Sequence, residues 1–231
     1  MNSIQHNLLT VHDRIAAACR AAGRDPQEVR LLAVSKTFGP DAVALAHAAG
    51  QDAFGENYIQ EAVEKMAALA HLPLVWHCIG PIQSNKTRLV AQHFSWVHTI
   101  DRLKVAERLN EQRPEGLPPL QVCVQVNVDG GASKSGVPPE QAAELAHRVA
   151  ALPRLQLRGL MCIPEPAPDF TSACAVFTRV RRLAEQLRAE GLPMDTLSMG
   201  MTSDLEAAIH AGSTLVRVGT AIFGGRNYAT A

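Results

Sequence analysis

Lys36 ends the apolar run Leu31-Leu32-Ala33-Val34-Ser35, and Thr37-Phe38-Gly39-Pro40 breaks that run at once. A lysine at the end of a buried strand has its ammonium partly desolvated. Desolvation lowers its pKa and makes a neutral, nucleophilic amine accessible near neutral pH. Such an amine condenses with aldehydes, so Schiff-base chemistry is the functional expectation for Lys36. The competing expectation is a lysine whose stem lies along the strand while its head reaches water.

Two later segments have the composition of anion sites. Ser198-Met199-Gly200-Met201-Thr202-Ser203 runs from a strand into a helix, and Gly219-Thr220 follows the last strand. Glycine permits close backbone approach, hydroxyls and loop N–H groups donate, and a helix N-terminus favours negative charge. Either segment alone is an ordinary glycine turn; their position after two consecutive late strands points to phosphate. Arg217 shares one strand face with Leu215 and Gly219, while Val216 and Val218 share the other. If the valines pack under helices, Arg217 points inward and needs a partner. That partner is either an inward acid such as Glu56, or a ring nitrogen or carboxylate of a bound ligand. A lysine nucleophile, a phosphate cradle and an inward arginine on one rim describe a pyridoxal 5'-phosphate (PLP) pocket.

Other residues carry two readings each. Glu56 and Asn57 either line the pocket or cap the following helix. His77 reads as a satisfied interior histidine, since no HExxH pattern accompanies it. Lys134, in a glycine- and serine-rich loop on the same rim, is either an exposed loop lysine or a transient second acceptor of PLP.

These residues need a scaffold. An amphipathic helix is expected over residues 3–22, with Leu8, Val11, Ile15, Ala18 and Cys19 on one face and Gly23 past its end. Eight β-rich runs then follow, at 31–36, 52–55, 74–79, 95–100, 120–128, 155–161, 195–199 and 214–218. Helical stretches near 40–49, 57–70, 84–92, 102–113, 138–150, 170–190 and 203–211 alternate with them. Pro40 sits at a first-turn position, Asp101 is placed to cap a helix from Arg102, and Ser203-Asp204-Leu205-Glu206 matches a capping box. Strict alternation of strand and helix predicts a parallel sheet covered by helices. Eight units in 231 residues suit an α/β fold: one compact (β/α)8 TIM barrel with an extra N-terminal helix, forming a single domain over residues 1–231. A doubly wound open sheet is the alternative. In the fifth run Val122, Val124, Val126 and Val128 alternate with Cys123, Gln125 and Asn127, which places Gln125 and Asn127 on the inner, site-lining face.

Composition excludes several classes. Lys plus Arg and Asp plus Glu number 22 each, and only 4% of residues are aromatic. No net field or stacking platform serves nucleic acid, and no run approaches a membrane span. The five cysteines are odd in number and scattered, and the N-terminus has no signal-peptide pattern. Reduced thiols in a cytoplasmic protein are the expectation, with no metal site.

The sequence resembles the YggS/PROSC family of pyridoxal phosphate homeostasis proteins over essentially its full length. The resemblance is carried by Leu32-Ala33-Val34-Ser35-Lys36-Thr37, Phe54-Gly55-Glu56-Asn57-Tyr58 and His77-Cys78-Ile79-Gly80-Pro81-Ile82-Gln83-Ser84-Asn85-Lys86. His98-Thr99-Ile100-Asp101, Ser133-Lys134-Ser135-Gly136, Leu157-Arg158-Gly159-Leu160-Met161, Ser198-Met199-Gly200-Met201 and Arg217-Val218-Gly219-Thr220-Ala221-Ile222-Phe223-Gly224 complete it. Thr202 departs from a common serine but keeps the hydroxyl. The resemblance implies a barrel like the N-terminal domain of alanine racemase, with PLP held as an aldimine on Lys36. It also implies a cofactor site of Lys36, Asn57, Ser198, Gly200, Met201, Arg217, Gly219 and Thr220, with Arg217 facing the pyridine nitrogen. A PLP carrier without catalytic residues follows, monomeric and in transient contact with apo PLP-dependent enzymes. The alternative is a PLP-dependent amino-acid racemase, which needs a base on each face of its substrate. The sequence ends at Ala231 soon after the eighth strand and is expected to lack the β-domain that supplies alanine racemase with its tyrosine. Its tyrosines are Tyr58 and Tyr228.

Overall fold

Residues 3–131 and 135–225 are described by a computed structural model. Eight parallel strands close in chain order: β1 Arg30–Val34, β2 Ala53–Glu56, β3 Val75–Cys78, β4 Trp96–Ile100, β5 Leu120–Gln125, β6 Leu155–Met161, β7 Thr196–Ser198 and β8 Leu215–Val218. Closure runs from Arg30 opposite Leu215 to Ala33 opposite Val218. The barrel replaces the open-sheet alternative. Between strands lie α2 Pro40–Ala48, α3 Ile59–Ala68, α4 Thr87–His93, α5 Leu103–Gln112, α6 Pro139–Ala150, α7 Phe170–Ala189 and α8 Leu205–His210.

Two-residue periodicity divides each strand between two environments. Val122, Val124, Val216 and Val218 face the helices and join the main core. Leu32, Val34, Ile79 and Leu215 cluster on the inner side, and Trp96, Cys123 and Met161 form a second inner cluster. The barrel interior is thus a packed plug, leaving space only at its mouth.

After β8 the chain makes only the short helix α9, Thr220–Phe223. One turn cannot cover the β8–β1 seam. Helix α1, Ser3–Ala21, packs against α2, α8 and α9 and takes the eighth place in the outer ring. Its buried residues are Leu8, Val11, Ile15, Ala18 and Cys19, the face that its periodicity predicts. Asn7 Nδ2 donates to the Ile222 carbonyl at 2.9 Å, and Arg14 pairs with Glu206 of α8.

Local expectations fail where tertiary partners compete. β5 stops at Gln125 instead of 128; Val126 bridges to Val137 as the chain turns through Gly130. Asn127 therefore closes its own loop, donating to the Gly131 carbonyl and accepting from Gly130 N–H. The Ser203–Glu206 capping box does not form, because Arg14 takes the Glu206 carboxylate and Asp204 Oδ1 accepts from Met201 N–H at 2.6 Å. Asp101 caps no helix: α5 starts one residue later than expected, and the carboxylate lies 3.4 Å from Arg102 Nε. Among the described residues no helix is long and apolar enough to cross a membrane.

Candidate functional site

A cavity of about 460 Å³ opens at the C-terminal mouth of the barrel. Its walls bring together Lys36, Asn57, Met201, Arg217, Gly219 and Thr220, six of the eight residues expected to form a site. Lys36 stands two residues beyond the end of β1, on the inward side with Leu32 and Val34. Thr37 then turns the chain with a left-handed φ of 69°.

Arg217 is 3% exposed and faces the interior, as its alternation with the valines predicts. Its partner is not Glu56. Glu56 lies with Phe54 on the helix-facing side of β2, where Lys65 Nζ reaches its Oε1 at 2.7 Å. Burial raises the Glu56 pKa in spite of that lysine. Neither of the two readings of Glu56 holds, since α3 begins after Tyr58 without a side-chain cap. Arg217 Nη1 instead donates to the carbonyl and hydroxyl oxygens of Ser198 at 2.7 and 2.8 Å, and Nη2 donates to the Cys162 carbonyl at 2.9 Å. Burial lowers the Arg217 pKa, yet an arginine stays cationic in proteins. Three of its five N–H donors are engaged by these acceptors, and Arg217 also lines the cavity.

Ser198 and Gly200 do not line the cavity. Ser198 is fully buried, with its hydroxyl between Arg217 and His98 Nδ1, 2.7 Å away. Gly200 has φ of 99°, and a Cβ there would meet the Ala208 side chain at 2.6 Å, so it serves the turn into α8. Thr202 and Ser203 occupy the wall beside Met201. Gly219 lies against β1: a Cβ there would meet the Val34 carbonyl at 3.1 Å. Thr220 opens α9; Ile222 and Phe223 N–H close on the Gly219 carbonyl at 2.9 Å each, which leaves the Thr220 and Ala221 N–H groups without an intrahelical acceptor. Asn57 lines the cavity, and its buried Oδ1 has no hydrogen-bond partner among the described residues.

His77 and His98 lie below this layer, with His77 Nδ1 2.9 Å from His98 Nε2 and the His77 ring stacked on Trp96. Burial pushes His77 down to about 3 and His98 well below the ordinary histidine value, so both are neutral. Tyr58 is exposed and outside the cavity, while Lys134 and Tyr228 lie outside the described residues. The apolar walls Phe38, Ile79 and Ile163 escaped the sequence reading. Phe38, stacked on Phe223 with centroids 5.1 Å apart, had a signal: an aromatic two residues after the lysine. The assembled groups suit reversible covalent capture of an aldehyde that carries an anionic tail, with apolar walls to exclude water.

A sequence profile of the alanine racemase N-terminal domain family matches residues 2–227. The pyridoxal phosphate homeostasis protein of Pseudomonas aeruginosa is 60% identical over 228 residues, covering 99% of this chain and 98% of that protein. The protein of the same name from Escherichia coli K12 is 53% identical over 231 residues, covering 99% of both. Among solved structures, PipY of Synechococcus elongatus with PLP bound superposes with a TM-score of 0.82 at 36% identity, covering 96% of this chain and all of PipY (100%). Alanine racemase from Corynebacterium glutamicum shares the fold, with a TM-score of 0.68 at 19% identity over 99% of this chain and 62% of the racemase.

Proposed function

This chain belongs to the family of pyridoxal phosphate homeostasis proteins, and we propose that it holds PLP in the mouth cavity and releases it to other proteins. One observation carries the site assignment: Lys36, Arg217 and the Gly219-Thr220 turn converge on a single apolar-walled cavity. PLP supplies an aldehyde, a phosphate and a ring nitrogen, and the cavity has a counterpart for each. Lys36 presents the amine. Gly219, Thr220, Thr202 and Ser203 present backbone N–H groups and hydroxyls to an anion, while Met201 N–H is already taken by Asp204 Oδ1. Arg217 presents its remaining donors, and the orphaned Asn57 Oδ1 offers a buried acceptor. Ser198 and Gly200 act behind these, one holding Arg217 and the other forming the turn.

Holding, as opposed to catalysis, is supported by the same groups. An arginine at the ring nitrogen disfavours ring protonation and weakens the ring as an electron sink. Racemisation needs a second base opposite Lys36. Among the described residues of the cavity wall, none is a carboxylate, imidazole, thiol or phenol. The carrier reading further comprises a single domain over residues 1–231, a monomer, cytoplasmic location and transient contact with apo-enzymes. Balanced charge favours it, as do four buried cysteines, of which Cys78, Cys123 and Cys162 are pushed up to about 12 by burial.

Adding PLP to the purified protein is expected to give a new absorbance that borohydride fixes onto Lys36, identified by peptide mapping. An unchanged spectrum in Lys36→Ala would overturn the site. Rapid exchange of the α-proton of L-alanine in deuterated buffer would overturn the carrier reading.

A further inference from the structure

Thr37 is the one non-glycine residue with positive φ among the described residues, and it directly follows Lys36. A β-branched residue in this region is a conformational outlier. Such strain persists only where the surroundings over-determine it, and it gathers at functional positions. The surroundings here are specific. Phe38 N–H donates to the Ser35 carbonyl at 3.1 Å, closing a four-residue turn with Lys36 and Thr37 at its two central positions. Thr37 N–H donates to Glu61 Oε1 of α3 at 2.8 Å. Ser35 Oγ donates to Glu56 Oε1 at 2.6 Å, and Ser35 N–H to the Gly55 carbonyl at 3.1 Å.

Lys65 joins these contacts. It is 4% exposed, and its ammonium donates to the Ser35 carbonyl at 2.9 Å, Glu56 Oε1 at 2.7 Å and Glu61 Oε1 at 3.2 Å. An ammonium has three N–H donors, and three acceptors meet them. Two of those acceptors, the Ser35 carbonyl and Glu61, also bind backbone N–H groups of the turn that carries Lys36. A buried ion pair is a poor source of net stability, but it fixes geometry where its hydrogen bonds are complete.

We propose that Glu61, Lys65 and Glu56 are positioning residues that hold the strained turn 35–38 so that Lys36 meets an aldehyde in attacking geometry. This inference rests on the PLP reading of the cavity. In the step concerned, Lys36 Nζ forms a C=N bond to the aldehyde carbon, and the aldehyde oxygen leaves as water with the two amine protons. Orientation is the part of this step that the turn controls. Glu56, Glu61 and Lys65 brace the turn from the helix side and line none of the cavity, and the anion and ring contacts assigned to Asn57, Arg217, Gly219 and Thr220 lie outside the turn.

The test uses the full chain and two variants that leave the Glu56–Lys65 pair intact, Glu61→Ala and Thr37→Gly. Three quantities are measured: the rate at which the borohydride-fixable absorbance develops with PLP, the affinity for 4'-deoxypyridoxine 5'-phosphate, which has no aldehyde, and the urea midpoint. Both variants are expected to capture PLP about tenfold more slowly, while binding the aldehyde-free analogue within about twofold of wild type. Unchanged capture rates overturn the proposal, as does a loss of capture matched by an equal loss of analogue affinity. If the wild-type chain itself forms no adduct on Lys36, the PLP reading fails and takes this proposal with it. If wild type forms the adduct and the variants equal it, the positioning role alone fails.

Discussion

Arg217 and Ser198 are joined twice: Nη1 of the arginine donates to the serine carbonyl at 2.7 Å and to its hydroxyl at 2.8 Å. The second bond extends through His98 to His77, each link between 2.7 and 2.9 Å. The chain has one fully donating sense. Arg217 has only donors, so the Ser198 hydroxyl accepts from it and gives its own proton to His98 Nδ1. His98 then carries its proton on Nε2 and gives it to His77 Nδ1. A cation at the cavity floor is thereby anchored by neutral groups, with the Asp204 carboxylate acting on it through space and not as a hydrogen-bonded partner.

Ser198→Ala is expected to destabilise the protein by about 1–3 kcal/mol, because it leaves His98 Nδ1 and one Arg217 N–H without partners inside the barrel. Urea denaturation measures it. Affinity for PLP is expected to fall about fivefold, near 1 kcal/mol, as Arg217 loses its fixed orientation. If Ser198 instead contacted phosphate directly, its removal would weaken binding and leave stability unchanged. That pattern of results would refute the chain.

The histidines give stability a defined pH dependence. Both have folded pKa values depressed below the unfolded value of about 6.5, His77 to about 3 and His98 well below its ordinary value, and desolvation is the first cause in each. The unfolded chain therefore binds more protons below about pH 6.5, so stability is complete above that pH and lost as pH falls. Each histidine contributes a slope of up to about 1.4 kcal/mol per pH unit. Between about pH 6.5 and 5 carboxylates of ordinary pKa stay ionised in both states. Glu56, raised by burial, opposes the slope of the two histidines, whose combined effect is expected to lower urea midpoints as pH falls. Flat midpoints across that window would show that the pair is charged or solvated in the folded state.

The sequence carried the scaffold well because periodicity is local information. The five buried residues of α1 and the inward aim of Arg217 follow from spacings within one element. What crossed elements was not legible. The Glu206 carboxylate is taken by Arg14, 192 positions away, and no capping rule anticipates that. Ser198 lies between outward Leu197 and Met199, so its inward face could be read, but its depth beside His98 could not. Glu56 is an instructive miss: it shares a strand face with Phe54, and that spacing already placed it under α3 and away from Arg217.

Helix α1 is predicted to act as a structural member of the ring. Ile15 is 4% exposed on the face that covers the β8–β1 seam. Ile15→Ala is expected to lower stability by about 2–4 kcal/mol. Near-stoichiometric PLP uptake is expected to persist under native conditions, since no α1 residue lines the cavity. Loss of uptake without loss of stability would place α1 in the binding site.

Gly219→Ala separates binding from folding at the anion turn. The glycine has φ of −116°, which any residue adopts, so alanine introduces no backbone strain. The added Cβ would meet the Val34 carbonyl at 3.1 Å and Val34 Cβ at 3.3 Å, so the turn and β1 must part by a few tenths of an ångström. Val34 and Gly219 both line the cavity, and Lys36 is two residues from Val34. The shift therefore widens the distance between the amine and the anion turn, which a rigid ligand must span. PLP affinity is expected to fall about tenfold, near 1.4 kcal/mol, while stability changes by less than about 1 kcal/mol. Gly116→Ala is the matched control, because a Cβ there meets nothing within 4 Å. Equal PLP affinity in the Gly219→Ala and Gly116→Ala proteins would remove Gly219 from the site.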